Sequence, residues 1–292
     1  MARLTEDSGL MTGVSDVIAF VSENSRLRLH NCTNDMTWYR GQSNCKWHLT
    51  PAVFRNKQFE NERIYVKEFE RLRPEEFADM SPFSKLVKMQ HYGLPTRLLD
   101  ITSNPLIALY FACSSNPKDD GSFYYFATPT FWEDNWAIKL KANYVFNPVG
   151  NLRQLLKMTA EYCPVSQMHL TEADLLHTLT VPAHAVLPNY TNARLRQQQG
   201  GFLLFGMSLA SPKKSTQADP ASESISRFKK LDDEKESLLC PVIRKYRVPS
   251  ECKANILKEL RRFGIDEGTL FPELEHQAKS IVHEILIDHS HY

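Results

Sequence analysis

The chain of 292 residues is 42% hydrophobic and 24% charged, proportions of an ordinary folded protein that exclude wholesale disorder. Lys and Arg number 35 against 34 Asp and Glu, a net charge of +1, which argues against a protein whose main task is neutralising duplex phosphates and leaves room only for a local basic strip. The polar, acidic start Met1–Asp7 leads into no signal-peptide core, and no stretch reaches the ~18 uncharged apolar residues of a membrane span.

In chain order, Val14, Val17, Ile18, Phe20 and Val21 predict a short amphipathic helix over Val14–Glu23. Met36–Arg40 reads as a strand stopped by Gly41. From about Asn61 to Asp79 a charged surface helix is expected, with Ile64, Tyr65, Phe69 and Leu72 as its apolar positions. Ser81-Pro82 opens the next helix and Gly93-Leu94-Pro95 closes it. Ser103-Asn104-Pro105 caps an almost wholly apolar run, Leu106–Cys113, of the kind that lies buried. Strands are expected over Gly121–Thr128, Leu179–Leu187, Gly201–Gly206 and Pro241–Val248, then a helix from Ser250 to near Gly264 and a last one from Pro272 through Leu286. Residues 207–237 lose hydrophobic period and predict an exposed, mobile insertion between strands. Helices come first and strands mix with helices afterwards, without regular alternation. An α+β fold follows: one domain with a mixed or antiparallel sheet and packed helices. The six scattered cysteines form no Cys-x-x-Cys pair, so free thiols in a reducing cytoplasm are expected.

Three segments gather chemistry. Tyr39-Arg40-Gly41-Gln42 puts a guanidinium beside a glycine, where backbone can approach a ligand and the fork can take an anion. A surface arginine after a strand is the plainer alternative. Gln90–Pro105 packs His91, Arg97, Asp100, Thr102 and Ser103 into a turn between helical stretches. These groups either satisfy one another, with Arg97 and Asp100 as a structural ion pair, or face a cleft. Arg194–Leu204 carries Gln197, Gln198 and Gln199 into a strand through two glycines, and alternation along an edge strand would send Gln197 and Gln199 to one face and Gln198 to the other.

Taken together, Tyr39-Arg40-Gly41-Gln42, Trp47-x-Leu49-x-Pro51, Gln90–Leu99 with Asp100-x-Thr102-x-Asn104-Pro105, Ala108-Leu109-x-Phe111-Ala112, and Arg194 with Gln198-x-Gly200-x-Phe202 resemble the FRG domain family. That family is named for a Phe-Arg-Gly motif, whose phenylalanine is Tyr39 here. The resemblance spans roughly Met36 to Val282 and implies a helical N-terminal segment over 1–35 followed by an FRG domain over 36–292.

A second resemblance, in the order of parts, is to ADP-ribosyltransferase folds: aromatic-Arg-Gly strand, hydroxyl-bearing strand running into an apolar helix, then a polar strand. It implies an ADP-ribosyltransferase-like sheet and NAD as substrate, with no metal. Tyr39, Arg40, Gly41, Gln42, His91, Arg97, Thr102 and Ser103 would bind the nucleotide, and Arg40, Asp100, Gln198 and Gln199 would carry the chemistry. The departure is on the third element, where Gln198 or Gln199 stands in place of a carboxylate. Cleaving the nicotinamide–ribose bond builds positive charge on the ribose, and losing an anion there costs ~3 kcal/mol, about two orders of magnitude in rate. Asp100, or more distantly Glu161, is left to supply that charge.

The implied partners are NAD or a related nucleotide, a protein or nucleic-acid acceptor, and a cognate inhibitor, with no membrane. The implied setting is a bacterial toxin or phage-defence effector, and the alternative is a non-catalytic nucleotide-sensing or protein-interaction module. His276, His283, His289 and His291 lack metal spacing and read as a surface tail. Arg194, Arg196, Lys213, Lys214, Arg227, Lys229 and Lys230 form either a basic rim or a solvated loop.

Overall fold

Local signals set most of the early elements. Helix α1 (Val14–Asn24) buries Val14, Val17 and Phe20, and the carboxylate of Asp16 in its first turn accepts the Thr12 amide and hydroxyl, each at 2.7 Å. Strand β1 (Asp35–Gln42) continues through Gly41 instead of stopping there. Helix α2 (Glu62–Leu72) buries Glu62 and Val66 and leaves Ile64 and Leu72 exposed, because an internal charge partner draws Glu62 inward. In α3 (Pro82–His91) the Ser81 hydroxyl accepts the Ser84 amide at 3.1 Å, and Gly93 beyond its end has φ +87°. Strand β2 (Leu98–Thr102) is followed by α4 (Pro105–Cys113), whose Asn104 cap accepts the amides of Leu106 and Ile107.

Strand β3 runs from Gly121 to Trp132, past the expected stop at Thr128. Helices α5 (Trp136–Phe146), α6 (Leu152–Ala160) and α7 (Glu172–Thr180) follow. The segment expected as one strand from Leu179 divides, with Leu179 ending α7 and β4 covering only Ala183–Leu187. Then come α8 (Ala193–Gln197), β5 (Gly200–Phe205), the two-residue β6 (Ser208–Leu209) and β7 (Phe228–Lys229), β8 (Val242–Val248), α9 (Ser250–Arg262) and α10 (Glu267–Leu270).

This computed structural model describes residues 8–24, 35–56, 58–149, 151–163, 170–190, 192–209, 228–229 and 242–273. Most of the expected insertion at 207–237 and nearly all of the helix expected from Pro272 therefore lie outside the described residues. So do the four C-terminal histidines and Lys213, Lys214, Arg227 and Lys230 of the basic rim.

The sheet is mixed, and five of its strands close on themselves. β1 pairs with β3 over eight residues, β3 runs parallel to β4, β4 pairs with β5, β5 with β2, and β2 returns to β1. β8 adds to the first half of β3 outside the ring. The barrel interior is filled from all five strands, by Trp38, Leu99, Ile101, Tyr124, Phe126, Ala185, Leu203 and Phe205, with Val53 and Phe54 entering from a connecting turn. Trp38 is fully buried and donates its indole N–H to Thr130 Oγ1 at 2.8 Å. Helices α1, α4, α9 and α10 cover one flank, and α2, α3 and α5 cover another. Lys253 of α9 locks the first flank: its Nζ donates to the carbonyls of Ser43, Ser115 and Asn116 at 2.7, 3.2 and 3.0 Å. Among the described residues Cys45, Cys113 and Cys252 are free thiols, and no helix is long and apolar enough to cross a membrane.

Candidate functional site

The ring has one weak joint. β1 and β2 are registered only at Tyr39 opposite Thr102, and beyond that pair the strands part. Alternation sends Trp38 and Arg40 to the inner face of β1 and Tyr39 to the helix side. There the Tyr39 ring packs against Phe123 and Tyr125 at 5.7 and 5.9 Å, and burial, with Tyr125 second, pushes its phenol up to about 12. The Arg40 guanidinium crosses the joint and donates from Nη1 to the Asp100 main-chain carbonyl at 2.5 Å, a side-chain bond where the ladder has lapsed. Only 17% of the Arg40 side chain is exposed, and its Nε is buried without a partner among the described residues. Burial lowers its pKa and the Asp100 charge opposes that shift.

An open cleft of about 270 Å³ lies along this joint. Its first wall is β1, β2 and the end of α3, contributing Arg40, Asp100, Thr102, Gln90 and His91. The Asp100 side chain is 67% exposed, with its Oδ1 accepting the Gln90 amide at 2.9 Å. Gln90 Oε1 in turn accepts the Thr96 hydroxyl at 2.5 Å, so the amide can point only its N–H₂ at Asp100. His91, the last residue of α3, is exposed and meets the Tyr92 ring edge-on at 5.2 Å.

The second wall is α8 and the start of β5. Asn192 accepts the Leu195 amide at 2.7 Å and so begins the short helix that presents Arg194 and Gln198. The Thr102 hydroxyl donates to the Gln198 carbonyl at 2.7 Å, tying the walls together. The Gln198 side-chain amide donates to the Leu270 carbonyl at 3.2 Å. Arg194 lies over the Phe271 ring, 4.7 Å from its centre.

Residues 35–121 match the family model of the FRG domain. The match covers that part of the chain alone. Neither a curated protein nor a solved structure matches the chain. The matched FRG segment begins with β1 and ends as β3 starts, so it provides the first wall of the cleft, while the second wall comes from outside it.

The FRG signature has a packing logic in this fold. A Cβ built on Gly41 would stand 1.8 Å from the Ala108 carbonyl oxygen and 2.5 Å from the Ala112 nitrogen. The glycine therefore admits the backbone of α4, and it also lines the cleft beside Arg40.

Several expected site residues do not reach the cleft. Gln42 is buried and donates to the His48 carbonyl at 3.3 Å. Arg97 is not paired with Asp100 and does not line the cleft. It is buried in a fork with Glu62, Nε to Oε1 at 2.8 Å and Nη2 to Oε2, beneath the Phe59 ring. Ser103 donates its amide and hydroxyl to the Gln199 carbonyl and stays outside the cleft. Gln199, at φ +45°, is an exposed turn residue and not part of an edge strand, so the alternation expected for Gln197–Gln199 does not occur. Glu161 caps the exposed end of α6, away from the cleft.

Conversely, Gln90, Phe111, Asn192 and Arg194 line the cleft without having been singled out as site residues. The hydroxyl of Thr96, six residues after Gln90 and across a glycine turn, was the available signal for Gln90. Among the described residues no cluster of three His, Cys, Asp or Glu gathers to hold a metal ion. The cleft can therefore offer a fork for an anion (Arg40), a fixed carboxylate for a developing cation (Asp100), and amide and imidazole groups for hydrogen bonding.

Proposed function

We propose that the cleft binds NAD and that the protein is an ADP-ribosyltransferase-like effector, with the closed sheet as its version of that fold. At ~270 Å³ the cleft sits near the lower end of small-molecule sites (~300–1,000 Å³), which suits one nucleotide half with the rest along the rim. In this reading Arg40 positions a phosphate, and His91 and Gln198 orient ribose and nicotinamide. The C1′–N bond breaks with its electron pair leaving on neutral nicotinamide, and the Asp100 carboxylate stabilises the cationic ribose. A nucleophile of a macromolecular acceptor, or water, then bonds to C1′ and releases its proton. A bacterial toxin or phage-defence role, in the cytoplasm and under a cognate inhibitor, fits this chemistry. The observation that carries the reading is the meeting of Arg40, Asp100 and Gln198 from three distant segments in one cleft.

A non-catalytic nucleotide-sensing or protein-interaction module is the second reading. It is favoured by the amide of Gln198, already committed to the Leu270 carbonyl on a wall without a carboxylate. One experiment separates the two: purified protein is incubated with NAD, alone and with cell extract, and nicotinamide release and mass shifts on protein and nucleic acid are followed. The enzyme reading expects product from the wild type and about 100-fold less from Asp100→Asn. Background signal from the wild type, or full activity in a folded Asp100→Asn, overturns it.

A further inference from the structure

The second wall holds a guanidinium that the reading above leaves unused. Arg194 stacks on Phe271, and Phe271 stands edge-on to Phe111 with ring centroids 6.1 Å apart, so the plane of the fork is set before any ligand arrives. Arg194 is half-buried and forms no ion pair among the described residues.

Arg40 is also incompletely matched. One of its nitrogens is spent on a main-chain carbonyl, its Nε is unpartnered, and the Asp100 carboxylate lies 4.0 Å away, already accepting from Gln90. Two arginines against one aspartate give the cleft lining a local positive excess on a chain whose charges otherwise nearly cancel. Partly desolvated guanidiniums attract an anion strongly, and each fork fits two oxygens of one phosphate.

We propose that Arg40 and Arg194 together hold the two linked phosphates of a diphosphate. The cleft then selects a dinucleotide or nucleoside-diphosphate ligand over a bare nucleoside, and Arg194 determines that specificity. The assignment of the remaining ligand atoms rests on the NAD reading; the diphosphate clamp does not.

Calorimetric titration of the full chain with ADP-ribose, inorganic pyrophosphate and adenosine tests the clamp. The wild type is expected to bind both phosphate ligands, with affinity falling as salt rises, and adenosine at least about tenfold more weakly. Arg194→Gln is expected to weaken ADP-ribose and pyrophosphate about tenfold or more at unchanged melting temperature, to leave adenosine unaffected, and to be partly rescued by Arg194→Lys. Wild-type affinity in Arg194→Gln, equal affinity for adenosine and ADP-ribose, or no binding of either phosphate ligand by the wild type overturns the clamp. Arg194-dependent binding without NAD turnover leaves the clamp standing and removes the enzyme reading. Turnover with Arg194-independent binding does the reverse.

Discussion

Arg40 bonds the main-chain carbonyl of Asp100 at 2.5 Å and stays 4.0 Å from the carboxylate of the same residue. The joint between β1 and β2 therefore depends on the arginine and not on the charge of the aspartate. Asp100→Asn is expected to change stability by less than ~0.5 kcal/mol, since an exposed pair at this distance contributes little. Arg40→Ala orphans the carbonyl and is expected to cost ~1–3 kcal/mol. Thermal melts of the two variants check this, and they make Asp100→Asn the cleaner probe of chemistry.

Gly41→Ala drives a methyl group into the backbone of α4, which cannot yield as a side-chain tip would. The expected loss is at the upper end of, or beyond, the ~1–3 kcal/mol typical of overpacking. Gly93→Ala meets nothing within 4 Å but must hold φ +87°, so its cost is expected to stay near ~1 kcal/mol. Urea denaturation of the pair separates steric exclusion from backbone strain.

Glu62 and Arg97 form a buried fork, so removing either partner leaves an uncompensated charge. Glu62→Gln and Arg97→Met are each expected to destabilise by ~3–5 kcal/mol, while the paired apolar replacement Glu62→Leu/Arg97→Met recovers most of that loss. A double-mutant cycle by chemical denaturation reads this out. If Arg97 instead served the cleft, its variants would lose ligand affinity at unchanged stability.

His184 sits in the barrel wall with its Nδ1 buried and unpartnered among the described residues. Burial, followed by the nearby charges of Lys141 and His177, drives its pKa down to about 2. The folded state thus refuses a proton that the unfolded chain accepts below about 6.5. Its contribution to stability is complete above that pH and is lost progressively as pH falls toward 2, with a slope of at most ~1.4 kcal/mol per pH unit. His184→Gln is expected to flatten the stability profile between pH 6 and 4 relative to wild type, as measured by denaturation at each pH.

What the sequence disclosed was local. Ser81-Pro82 and Asn104-Pro105 carry their caps within three residues, and the apolar run of α4 declares its burial directly. Barrel closure was hidden because pairing β2 with β5 joins residues about a hundred positions apart. The partner of Arg97 was hidden for the same reason: Glu62 lies 35 residues upstream in a helix that otherwise reads as solvated. Around Gln198 the error was one of period. Five residues capped by Asn192 form a helix, so no strand rhythm runs through the glutamines.

The uneven pairing of β2, five residues with β5 against one with β1, also bears on how the chain is made. When a ribosome has released only the first 121 residues, β2 has nearly all of its partners still to come, and its Leu99 and Ile101 have no closed interior to enter. Such an unsatisfied edge invites pairing between nascent chains. Expression of the 35–121 segment alone is therefore a route to inclusion bodies, and a usable truncation must extend at least through Phe205.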